Sequence, residues 1–200
     1  MISAENNPFS VSKIHKLPYR FKIKDVDAIM ENWYYHNNQG LISGGHGAGK
    51  STLLKELVII LEAKHEKIIY VMLNDKRVFG LKDFWNILQL DTKSILVIDG
   101  WEQINLIYKT FVYFKIKRLK GFIGTSHVRT MVPVIFEAST DINTFLDLVA
   151  QLVSHNNKLS LPDLRILFDK HNGNIRDCFF ELYDFVSDCD RENMDTTSSG

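Results

Sequence analysis

The residues best suited to chemistry form one run, Gly44-Gly45-His46-Gly47-Ala48-Gly49-Lys50-Ser51-Thr52. It satisfies G-x-x-x-x-G-K-[ST], with an apolar segment before it and an amphipathic one after it. A triphosphate needs several converging backbone N–H groups, and glycines let the chain curl until those groups point inward. A helix that begins near Lys50 adds its positive dipole end beneath the phosphates. Lys50 then supplies a point charge to the β- and γ-phosphates, and the Ser51 hydroxyl is placed to bind Mg²⁺. His46 sits at a variable position of the loop, where it is either a solvated bystander or an extra phosphate contact.

A second set of residues answers the first. Ser94-Ile-Leu-Val-Ile-Asp99 is an apolar run ending in an acid. At the C-terminal end of a strand Asp99 would hold Mg²⁺ through water and orient Ser51. Hydrolysis also needs a group that positions the attacking water. The position after Asp99 is Gly100, so the nearest acid is Glu102, which either points into the site or sits at a helix start for dipole reasons alone. Thr125 and Ser126 are equal candidates for a polar side chain beside the γ-phosphate. His127 is open between phosphate donor, base and surface residue, and Arg129 between an arginine finger and a loop residue. In Gly173-Asn174-Ile175-Arg176, Arg176 stands in the first turn of a helix. There it either reaches the γ-phosphate or pairs with Asp177, Glu181 or solvent.

The elements that would position these groups follow from periodicity. Strands are expected at Gly40–Ser43, Lys67–Leu73, Ser94–Asp99, Gly121–Ser126 and Val132–Glu137. Helices are expected at Lys50–Lys64, Leu81–Leu88 and Glu102–Arg118, the last mixing strand-like alternation with helical spacing. After Thr140 the strands stop, and Asp141–Ser154, Pro162–His171 and Asn174–Asp188 read as helices. The fold class is therefore α/β: a three-layer arrangement with a mainly parallel five-stranded sheet and a small C-terminal helical lid. The boundaries read as a strap and helix over 1–36, a phosphate-loop core over 37–140, the lid over 141–188 and a frayed tail over 189–200. The stretch to Arg20 reads as an irregular strap over the core. Trp33, Tyr34 and Tyr35 either stack on a base or pack a helix against the core.

Composition bounds the partners. The 200 residues carry 24 Lys plus Arg against 24 Asp plus Glu, so no overall basic field announces nucleic acid or a membrane surface. Apolar runs such as Leu57–Leu61 and Ile95–Ile98 are too short to cross a bilayer. The N-terminus lacks the pattern of a secretory signal. Cys178 and Cys189 form no metal-spacing motif, and the expected setting is reducing and cytoplasmic.

With these residues in view, the chain resembles the additional-strand class of P-loop NTPases, near the AAA+ group. More closely it is similar to small bacterial P-loop ATP-binding proteins. The resemblance is carried by Asn7-Pro8-Phe9-Ser10, Gly45 to Leu54, Leu73-Asn74-Asp75, Ile98-Asp99-Gly100-Trp101-Glu102-Gln103, Thr125-Ser126-His127 and His171-Asn172-Gly173-Asn174-Ile175-Arg176. It implies ATP with Mg²⁺ as the ligand, and makes Arg176 similar to the sensor-two arginine of the group. Gly100 in place of an acid and the short stretch before the fifth strand depart from the typical motor enzymes. Three functions follow as expectations. The first is an ATP-binding switch or slow ATPase acting on a protein partner or in a homo-oligomer. The second is a small-molecule kinase enlisting Arg165, Arg176, Asp75 and Arg77. The third is a nucleic-acid-associated adaptor using Lys115, Lys117, Arg118 and Lys120, joined by Lys13, Lys16, Arg20, Lys22 and Lys24.

Overall fold

The computed structural model describes residues 7–17, 23–64, 66–74, 77–128, 130–154 and 161–197, with backbone alone at 23–25 and 189–197. The chain divides into two compact units. The first comprises Tyr19–Gly45 and Gly49–Ala138; the second comprises Met1–Pro18, His46–Ala48 and Ser139–Gly200. Asp75 and Arg129, and with them Arg20 and Lys22, lie outside the described residues.

The first unit is a parallel sheet of β1 (Gln39–Gly44), β2 (Lys67–Met72), β3 (Ser94–Asp99), β4 (Gly121–Ser126) and β5 (Val134–Ala138) in the order β2-β3-β4-β1-β5. The helices of this unit are α2 (Ile23–Tyr35), α3 (Lys50–Ala63), α4 (Leu81–Leu88) and α5 (Leu106–Ile116). Every residue of β3 and of β4 is buried, and their mostly apolar or small side chains suit strands covered on both faces. The edge strands β2 and β5 are only partly covered. Leu41, Leu96, Ile98, Trp101, Val112 and Phe122 belong to one continuous core. Trp33 contributes to packing: its indole N–H donates to the Phe122 carbonyl at 3.0 Å and its ring lies over Gly121, where a Cβ would come within 2.5 Å. That settles the Trp33 alternative in favour of the core, while Tyr34 and Tyr35 are exposed.

Two expected boundaries shift. The helix read as Glu102–Arg118 is broken: Trp101–Gln103 forms a 3₁₀ turn, Ile104 is extended, and α5 starts afresh at Leu106. Asn105 causes the restart, its side chain accepting from the Ile107 N–H at 2.9 Å as an N-cap. The fifth strand begins at Val134 because Pro133, which has no N–H, contributes only its carbonyl, accepting from Leu41 N at 2.8 Å.

The second unit holds α1 (Val11–Ile14), α6 (Ile142–Val153), α7 (Leu164–Lys170) and α8 (Ile175–Thr197). Its core gathers Phe9, Phe145, Val149, Leu167, Phe179, Leu182 and Val186. The described part of the N-terminal stretch, residues 7–17, packs within this helical unit. Phe9 is 1% exposed and stacks on Phe179, while Asn7 Nδ2 donates to the Tyr183 carbonyl at 3.0 Å and to Ser187 Oγ at 3.1 Å. Helix α8 also continues to Thr197, through most of the stretch read as a frayed tail. That stretch holds no Gly or Pro before Gly200 to stop a helix already nucleated by packing.

Candidate functional site

The phosphate loop leaves β1 at its C-terminal end and enters α3 at Lys50. Gly47 and Gly49 have φ of 71° and 78°, in the left-handed region where a Cβ is costly, so glycine is what lets the backbone curl here. Gly49 is the N-cap of α3, so the dipole of a fourteen-residue helix starts at the loop. Within the second unit, a Cβ on Gly47 would fall 2.0 Å from Asn174 Oδ1. Lys50 is 7% exposed, and its ammonium donates to the carbonyls of Gly44 at 2.8 Å and Gly45 at 2.6 Å.

Asp99, at the end of β3, is the hub of the polar groups. Its Oδ1 accepts from Ser51 Oγ at 2.9 Å and from Thr125 Oγ1 at 2.7 Å. The Thr125 hydroxyl also accepts from the Gly100 N–H at 2.8 Å, so it ties the end of β3 to that of β4. Tyr70 OH lies 3.4 Å from Asp99 Oδ2. Burial holds the Tyr70 phenol well above its ordinary range, and the neighbouring Asp99 charge adds to the shift. Sequence reasoning missed Tyr70. The signal was strand parity: Tyr70 pairs with Val97 and Met72 with Asp99, so Tyr70 and Asp99 share a face two positions apart.

Thr125 and Ser126, equal in the sequence, divide their roles. Thr125 faces Asp99; Ser126 closes its own turn, donating to the Val128 carbonyl at 2.8 Å and accepting from the Val128 N–H at 3.2 Å. His127 follows one rung beyond the Ser43–Ser126 pair. Its Nδ1 is 3.1 Å from Lys50 Nζ and 3.1 Å from the Gly44 carbonyl, and its Nε2 is 3.6 Å from Glu102 Oε1. Glu102 stands in the three-residue 3₁₀ turn, so helix-dipole stabilisation does not account for it. Its Oε2 is buried without a hydrogen-bond partner. Lys109 approaches the Glu102 backbone carbonyl at 3.5 Å; burial lowers its ammonium pKa, and the Glu102 charge works against that shift.

Lys50, Ser51, Asp99, Glu102, Thr125 and His127 are thus brought together by the first unit. Gly44, Gly45 and Gly49 form the loop's ends there, and Thr52 lies in the first turn of α3. His46, Gly47 and Ala48 group with the second unit, as does Arg176, whose backbone N–H donates to Asn174 Oδ1 at 3.2 Å. The residues of the other two readings have local engagements. Arg77 binds the Met72 carbonyl and Asp83. Lys115 binds the Leu90 carbonyl, Lys117 lies over the Tyr113 ring, and Lys120 pairs with Glu66.

No family model matches the chain, and no curated protein matches it. Among solved structures it is similar to variants of Thermotoga maritima RuvB. One matches at TM-score 0.55 and 18% identity over 82% of this chain and 60% of that one. Another matches at TM-score 0.56 and 16% identity over 84% and 63%. The chain spans less than two thirds of the length of those RuvB chains. At these identities the likeness is one of fold. The fold shared with those RuvB chains is a parallel α/β sheet, with β4 between the strand of the phosphate loop and the strand of Asp99. Among the described residues, no helix is long and apolar enough to cross a membrane.

Proposed function

We propose that this protein binds ATP with Mg²⁺ and hydrolyses it slowly, as a nucleotide switch. In this reading the γ-phosphate is coupled to the helical unit, and through it to a protein partner or a second copy, in the cytoplasm. The observation that carries the proposal is the chain Ser51–Asp99–Thr125, joined at 2.9 and 2.7 Å beside the Lys50 ammonium at the mouth of a glycine loop.

The donor set fits the ligand. A hydroxyl and a carboxylate are hard oxygen donors of the kind Mg²⁺ takes when it keeps waters and shares substrate phosphates. Ser51 and Asp99 would hold the ion, which supplies charge neutralisation to the phosphates. The remaining work belongs to the chain. The loop amides cradle the phosphates, Lys50 exchanges its carbonyl partners for phosphate oxygens, and Glu102 orients the attacking water. Thr125 keeps Asp99 facing Ser51, and Arg176 acts from the helical unit on the γ-phosphate.

Nucleotide titration with and without Mg²⁺, in the parent and in Lys50→Ala, tests the reading. Loss of the charge-assisted contacts of one ammonium should weaken Mg²⁺-dependent ATP binding roughly 10- to 100-fold. Glu102→Gln should slow phosphate release by about 100-fold. Equal affinity in the Lys50 variant, or binding indifferent to Mg²⁺, would sink the proposal.

A further inference from the structure

We infer that His127 is the positioning residue for Glu102: its imidazole bridges Lys50 to the Glu102 carboxylate and holds that carboxylate toward the mouth of the phosphate loop. The inference rests on the ATPase reading of the same site and adds a residue that the phosphate-loop pattern does not contain.

The two ring nitrogens face opposite demands, and one tautomer meets both. Nδ1 lies 3.1 Å from the Lys50 ammonium, a group that can only donate. Nε2 faces Glu102 Oε1 at 3.6 Å, and a carboxylate can only accept. A neutral imidazole with its proton on Nε2 presents a lone pair to the ammonium and an N–H to the carboxylate. The alternative places the proton on Nδ1, donating to the Gly44 carbonyl at 3.1 Å. It would aim an N–H at an ammonium and a lone pair at a carboxylate, so both flanking charges oppose it.

The contact to Glu102 is longer than a direct hydrogen bond, so it acts as an oriented charge–dipole contact and not as a clamp. It matters because Glu102 has little else to hold it. Its turn has three residues, and its Oε2 is buried with no hydrogen-bond partner. The groups facing this bridge include Lys50 from α3, the Gly44 carbonyl from β1, Glu102 from the 3₁₀ turn, and Lys109 from α5, which approaches the Glu102 carbonyl and feels its charge. Lys50 keeps the Gly44 and Gly45 carbonyls without His127. Removal of the ring should therefore disturb Glu102 more than it disturbs nucleotide binding.

The test has two arms on the full chain. In nucleotide-free protein, ¹⁵N resonances of the His127 ring, assigned by their loss in His127→Ala, should show the Nε2–H tautomer. The Nε2 signal should shift in Glu102→Gln, and the Nδ1 signal in Lys50→Ala. In the second arm, ATP affinity and single-turnover phosphate release are compared. His127→Ala should slow release about tenfold or more, with affinity within about twofold of the parent. His127→Gln, whose amide can donate near the depth of Nε2, should recover part of the rate. His127→Ala combined with Glu102→Gln should be no slower than Glu102→Gln alone, as for two residues acting as one unit. An Nδ1–H tautomer, a parental rate in His127→Ala, or additive effects in the double variant would each overturn the assignment. Failure of the ATPase reading is separable: ATP binding indifferent to Lys50 would remove it, while the tautomer arm still decides the role of the ring.

Discussion

One oxygen of Asp99, Oδ1, holds both Ser51 and Thr125, and Thr125 carries a second bond besides. One hydroxyl donates to Asp99 and accepts from Gly100, and it is 2% exposed. Thr125→Val keeps the shape and removes both bonds, leaving a buried N–H unpaired at a cost of about 1–3 kcal/mol. Urea unfolding should show the midpoint lowered with an unchanged slope, and Thr125→Ser should restore most of it. A parental midpoint in Thr125→Val would mean that the hydroxyl carries no net weight. The motif residues Lys50, Ser51 and Asp99 were legible in the sequence because their spacing is local and their chemistry narrow. The ranking of Thr125 over Ser126 was not. Which of two adjacent hydroxyls meets Asp99 depends on the phase of the β4 pleat, and partners far along the chain set that phase.

Among the elements, β3, β4 and α4 stand where periodicity and flanking residues put them. The break between Trp101 and Leu106 was missed because Ile104, Ile107 and Phe111 keep helical spacing across it. A capping Asn inside an apolar pattern was the overlooked sign. At α6 the N-cap is Asp141. Asp141 accepts from the Thr144 N–H at 2.9 Å and from Thr144 Oγ1 at 2.8 Å. These bonds, the backbone one first, hold its carboxyl below the usual carboxylate range. Folded-state depression means the contribution is present above the unfolded carboxylate pKa of about 3.9 and lost as pH falls through the lower folded value. Asp141→Ala should cost about 1 kcal/mol at neutral pH, a gap that narrows below about pH 4. Parallel urea titrations at pH 7 and pH 3 measure this, and a gap that widens in acid would contradict the capping account.

At the scale of the whole molecule, the helical unit gathers residues far apart in the chain. Nothing local in Asn7-Pro8-Phe9 says that a segment so early in the chain completes a core built from residues 145 to 186. Such a pairing spans most of the chain and leaves no periodic trace. Phe9→Ala should open a cavity costing about 3–5 kcal/mol, borne by the helical unit. All three tryptophans, Trp33, Trp85 and Trp101, belong to the sheet unit. The far-UV circular dichroism transition should therefore fall to lower denaturant by more than the tryptophan fluorescence transition does. Coincident, unshifted transitions would show that Phe9 is not part of that core's stability.

The place of β4 between β1 and β3 has one more implication, for how this chain can vary in length. Its side chains alternate with a period of two, so one residue gained or lost between Gly121 and Thr125 would turn the Asp99-facing hydroxyl to the opposite side of the sheet. The strand is in that sense a ruler of fixed graduation, and length changes compatible with the site have to fall outside it.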